Sequence, residues 1–106
     1  MMIIKQLSKD IECNICEAED KIETAYALKS RHPNEALWYK EMAAAHLGFN
    51  TKAHDYVKDH IAAYKASDEY KKHPEYADGM LAVWNDRHAE LSSTAARIKA
   101  MIDTYK

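Results

Sequence analysis

The hydrophobic positions of this chain fall into three stripes at helical spacing. Ile4, Leu7, Ile11, Ile15, Ala18, Ile22, Ala25 and Leu28 recur every three or four residues, which predicts one amphipathic helix from about Ile3 to Arg31. A second stripe reads Trp38, Met42, Ala45, Phe49, Ala53, Tyr56 or Val57, Ile61 and Tyr64. A third reads Leu81, Trp84, His88, Leu91, Ala95, Ile98, Ile102 and Tyr105, a heptad-like alternation with one polar member, His88. Burying side chains such as Ile11 and Ile22 contributes roughly 1.5–3 kcal/mol each, which is what holds helices of this length in place.

The breaks between the stripes are short. Pro33 disfavours helical geometry at His32, fits the first position of a new helix, and is followed by Glu35 where the helix dipole favours a negative charge. So brief a connection lays the two helices side by side and antiparallel. The polar stretch Ser67 to Glu75 ends in His73-Pro74 and reads as a second turn. The last helix starts at Pro74 or Glu75, or nearer Met80 if Gly79 delays it. Ser8 could cap a later start of the first helix, but Ile4 and Leu7 keep the period and favour the longer one. The central stripe passes Gly48 without a change of phase, so the central helix reads as unbroken; a break at Gly48–Thr51, giving four helices, is the alternative. The expected fold is all-α: one domain, residues 1–106, forming an antiparallel three-helix, up-down-up bundle with a long central helix.

Composition narrows the picture. With 47% hydrophobic residues there is material for a core, and two glycines and two prolines are too few for a chain of short strands. The formal charge is -2 and no run of like charge reaches five residues, so no nucleic-acid footprint is expected. No apolar run approaches the roughly 18 residues of a membrane span, and Met1 to Ile4 is far too short for a signal peptide. The expected location is cytoplasmic, away from membranes, with Cys13 and Cys16 reduced. These two match C-x-x-C, but they sit inside a helix with no preceding strand, so they read as small, partly buried thiols.

Counting outward from the turns places polar residues at the same height. Glu19 comes level with His46, and Glu12 with His54, across the first turn; His88 comes level with His60 or its neighbours across the second. Facing carboxylates and imidazoles can ligate a metal. The ordinary reading is interhelical ion pairs and hydrogen bonds, with His88 bonded to Asn14, His60 or Tyr56 or turned toward a second copy. No glycine-rich phosphate loop, nucleophile elbow or serine–histidine–aspartate arrangement is present, so no enzymatic activity is expected. A central helix longer than its neighbours leaves an apolar end uncovered, and Tyr56, His60, Ile61 and Tyr64 are the expected interface of a homodimer or higher oligomer.

Ile15 to Leu28 (ICEAEDKIETAYAL), Trp38-Tyr39-Lys40-Glu41-Met42-Ala43, His46-Leu47, His54, and Met80-Leu81-Ala82-Val83-Trp84 with His88 together resemble small ferritin-like helical proteins of bacterial, prophage and phage genomes. The resemblance implies long antiparallel helices and a carboxylate–histidine metal centre between them. Ferritin-like di-iron centres use Glu-x-x-His on two helices. This chain has no such motif, and His46-Leu47-Gly48-Phe49 stands where one would lie, so ferroxidase chemistry is not expected. The resulting expectation is a non-enzymatic helical module without a cofactor, associating with itself or another protein. If the phage resemblance holds, that other protein is a virion component or an inhibited host protein. The alternative is a ferritin-like metal binder holding iron, zinc or manganese through Glu19, His46, Glu12, His54 and His88.

Overall fold

Helix propensity and the two proline-marked turns act together along this chain. The computed structural model describes the backbone of residues 2–106 and the side chains of these residues except at 2, 76, 77 and 80. Four helices form: α1 (Met2–Leu28), α2 (Pro33–Lys65), α3 (Asp68–Lys72) and α4 (Pro74–Thr104). No strand occurs among the described residues.

Ser8 does not cap α1; its hydroxyl donates back to the Ile4 carbonyl at 2.7 Å inside the helix. The helix stops where the Arg31 and His32 N–H groups both turn back to the Leu28 carbonyl, at 3.2 and 2.7 Å. His32 then leaves the helical region, with φ -134° and ψ 66°, as its following proline demands, and Pro33 opens α2. α2 runs 33 residues through Gly48 without a break, a length of about 50 Å. The fourth helix lies elsewhere. Within the expected turn, Ser67 accepts the Tyr70 N–H at 3.3 Å and donates to the Tyr64 carbonyl at 2.5 Å. Asp68 and Glu69 open the short α3, and Lys71 and Lys72 close it. A cap plus charges matched to the dipole make one turn of helix where a plain polar turn was expected. α4 begins at Pro74, and Gly79 lies within it.

Side-chain pairs fix the register. Asn14 meets His46, and Lys21 lies over the Tyr39 ring, so α1 and α2 run in opposite senses. Glu12 meets Arg87, Glu19 meets Arg97 and the Tyr26 hydroxyl donates to the Met101 carbonyl at 2.8 Å, so α1 and α4 run in the same sense. His54 meets His88, and Lys40 lies over the Tyr105 ring, so α4 opposes α2. The molecule is a rod of 60 × 17 × 17 Å.

The α1 and α4 stripes bury as predicted: Ile11, Ile15, Ile22, Leu91, Ile98 and Ile102 form one core. Between α1 and α2 the close contacts fall on small residues. Ala18, Ala25, Ala36 and Ala43 are fully covered, and the register brings Ala18 level with Ala43 and Ala25 with Ala36. Alanines on both sides let the two backbones approach closely.

Of the expected α2 stripe, Ala53, Val57 and Ile61 pack on the core, whereas Trp38, Ala45, Phe49 and Tyr56 require correction. The buried face of α2 carries Ala36, Ala43 and Val57, flanked by Tyr39, Leu47, Ala53 and Ile61. Trp38, Phe49 and Tyr56 are 57%, 61% and 48% exposed, and Ala45 is exposed with them. The helix is rotated so that alanines and Tyr39 meet α1 while Trp38, Phe49 and Tyr56 turn outward. Cys13 and Cys16 are likewise exposed rather than partly buried. They flank the Ile11–Ile15 seam and point outward from α1.

Candidate functional site

Polar residues gather between α2 and α4 near the middle of the rod. Asn50 and His54 stand one turn apart on α2, and His88 and Ser92 stand one turn apart on α4. Residues four apart share a helix face. Because the helices are antiparallel, His54 meets His88 while Asn50 comes level with Ser92. The two imidazoles approach with Nε2 to Nε2 at 2.9 Å, one ring donating to the other, and they stack with centroids 4.2 Å apart. Trp84, one turn before His88 on α4, stacks with the His88 ring, 5.5 Å between centroids. The Ser92 hydroxyl lies 3.2 Å from His88 Nε2. Asn50 Oδ1 is buried and has no hydrogen-bond partner. All four polar residues line a cavity of about 250 Å³ whose floor is Ile11 and Ile15 of α1.

Burial holds the His54 imidazole below the ordinary histidine range. The facing His88 and nearby Lys58 push in the same direction, and Asp55 opposes them weakly. Taking an imidazole out of water penalises its charged form. The neutral ring is also the form that accepts a hydrogen bond or ligates a metal.

The expected pairings of carboxylate with histidine do not form. Glu19 is engaged by Arg97 and Glu12 by Arg87, both at the α1–α4 rim. His46 instead donates through Nδ1 to Asn14 Oδ1 at 3.0 Å, with its ring against Phe49. His88 meets His54, not His60, Asn14 or Tyr56. The misplacement has a simple cause. Counting from a turn gives height but not rotation, and the α2 face was rotated; arginine also competes for carboxylates more strongly than neutral imidazole does. Among the described residues, no three of His, Cys, Asp or Glu come together as a metal-binding group. The carboxylate-rich donor set that the resemblance implies therefore does not fit these positions. Of the expected interface residues, Tyr56 and His60 are exposed, while Ile61 packs on the core and Tyr64 meets the Tyr70 ring edge-on at 6.0 Å.

The residues missed in the sequence are Asn50 and Ser92. Their signal was available: each lies four residues from a histidine, Asn50 before His54 and Ser92 after His88. No described helix is long and apolar enough to cross a membrane. No family model, curated protein or solved structure matches the chain.

Proposed function

We propose that this protein is a helical self-association module whose contact face is the outer side of α2. The observation that carries the reading is the exposed stripe of Trp38, Ala45, Phe49 and Tyr56, spaced seven, four and seven residues apart along one side of an unbroken helix. Large apolar side chains aligned in this way mark an interaction surface rather than scattered surface hydrophobics.

The stripe is nearly palindromic about Leu47. In an antiparallel pairing of two α2 helices, Trp38 of one copy lies across from Tyr56 of the other. Ala45 lies across from Phe49, a small residue receiving a large one. Such self-complementarity is what a two-fold interface requires. The charges agree: Glu41 and Lys52 flank the stripe on the same edge, both exposed, and the pairing brings Glu41 of one copy near Lys52 of the other. Neither makes an ion pair within the chain among the described residues. Area points the same way. The accessible surface is 7114 Å², against about 6,100 Å² for a compact monomer of this mass. The excess of roughly 1,000 Å² exceeds the ~800 Å² per partner of a standard interface. Long bundle helices are consistent with the ferritin-like resemblance, but association needs no ferroxidase chemistry.

Sedimentation or light scattering gives the test. The wild-type chain is expected to be a dimer at micromolar concentration. Phe49→Glu is expected to return it to a monomer with unchanged helical circular dichroism, and the double exchange Glu41→Lys with Lys52→Glu to restore a dimer that Lys52→Glu alone weakens. A wild-type monomer across that range, or a dimer indifferent to Phe49→Glu, overturns the reading.

A further inference from the structure

We propose that Asn50, His54 and His88 form a binding site for one divalent transition-metal ion, zinc, cobalt or nickel, between α2 and α4. The site is separate from the outer face of α2 and does not depend on self-association. Three observations converge on it. First, His54 Nε2 and His88 Nε2 stand 2.9 Å apart. Two imidazole nitrogens on one cation at about 2.0–2.1 Å each are about 2.9 Å apart in octahedral coordination and about 3.3 Å apart in tetrahedral coordination, so a bound ion asks the two rings to separate by no more than about half an ångström. Second, Asn50 Oδ1 is a buried acceptor without a donor. The histidine–histidine hydrogen bond uses a single proton and leaves that oxygen unsatisfied, whereas a cation held by both nitrogens would give it a partner across the cavity they share. Third, the three residues line one cavity of about 250 Å³, room for an ion and the waters that complete its coordination.

The donor set selects the class of ion. Two neutral imidazoles suit zinc, cobalt, nickel or copper, and the absence of a carboxylate from the set argues against magnesium and calcium, which take oxygen ligands. Ser92, 3.2 Å from His88 Nε2, is placed to hydrogen-bond a metal-bound water. Trp84, stacked on His88, fixes the ring's plane and acts as a positioning residue.

The chain also carries two exposed thiols one turn apart, Cys13 and Cys16, and thiolates are themselves zinc ligands. The experiment is therefore run on the full chain and on the Cys13→Ser, Cys16→Ser variant. Zinc or cobalt is added, free metal is dialysed away, and bound metal is measured by elemental analysis. One equivalent per chain is expected in the thiol-free variant, with a cobalt visible spectrum lacking any thiolate charge-transfer band. His54→Gln and His88→Gln are each expected to weaken binding by about tenfold or more, and His46→Gln to leave it unchanged. Zinc titration of the unsubstituted chain, followed by histidine-ring NMR, is expected to move His54 and His88 but not His46; this readout does not rely on any variant folding. No stoichiometric metal in the thiol-free variant, metal retained after both His54 and His88 are replaced, or ring signals that move at His46 instead overturns the proposal. Because metal is counted per chain, the result is independent of whether the protein is a dimer.

Discussion

Burial between two helices makes His54 a poorer base than a histidine in water, and the sign of its effect on stability follows. The folded chain takes up this proton at a lower pH than the unfolded chain, whose histidines titrate near 6.5. Above that value the contribution is complete. As pH falls through the lowered folded value, the unfolded state gains protons that the folded state resists, and stability is lost. Thermal melts from about pH 7 to about pH 5 are expected to show a falling midpoint, and His54→Gln to flatten the slope. Local chemistry of this kind is hard to read from sequence. His88 was recognisable as the one polar member of an apolar heptad, but its partner depended on the rotation of α2, which single residues do not reveal.

Along α1 and α4 a single class of bulky aliphatic residue marks one side, so periodicity alone was enough: Ile11, Ile22 and Ile98 are buried where the pattern placed them. α2 carries two competing stripes. One consists of alanines, valine and tyrosine and faces α1; the other consists of tryptophan, phenylalanine and tyrosine and faces outward. The expected stripe mixed the two, taking Trp38, Ala45, Phe49 and Tyr56 from the outer one and Ala53, Val57 and Ile61 from the inner one. The outer members failed because close helix packing selects small side chains, and alanine, common on any helix surface, announces nothing. The continuity of α2 was legible, since the period ran through Gly48 undisturbed. That glycine has open space around its Cα, with nothing within 4 Å of an added Cβ. Gly48→Ala is therefore expected to stabilise the helix by about 0.5–1 kcal/mol, seen as a higher midpoint in urea unfolding with an unchanged slope. The short α3 was not legible, because its single turn rests on the Ser67 cap rather than on any hydrophobic repeat.

At the scale of the whole molecule, a rod is an inefficient way to enclose a core. The radius of gyration is 17.1 Å, against about 13 Å for a compact domain of this length. Pairing two rods along α2 thickens the particle without lengthening it. Centring the pair on Leu47 rather than on the middle of α2 slides the copies by only about 6 Å. Small-angle scattering of the dimer is thus expected to give a maximum dimension little beyond the 60 Å of one chain, whereas an end-to-end dimer would approach twice that length. The two ends of the rod are not equivalent. The α1–α2 register carries the first turn of α1 to about the level of Tyr56, and Val57 is the last fully covered residue of α2. Past that level α2 and α4 have only each other and the five residues of α3 between them. The paired imidazoles join α2 to α4 near the lip of this two-pronged overhang. Amide exchange is therefore expected to be faster in the prongs than in the three-helix shaft, and faster still once His54 is replaced.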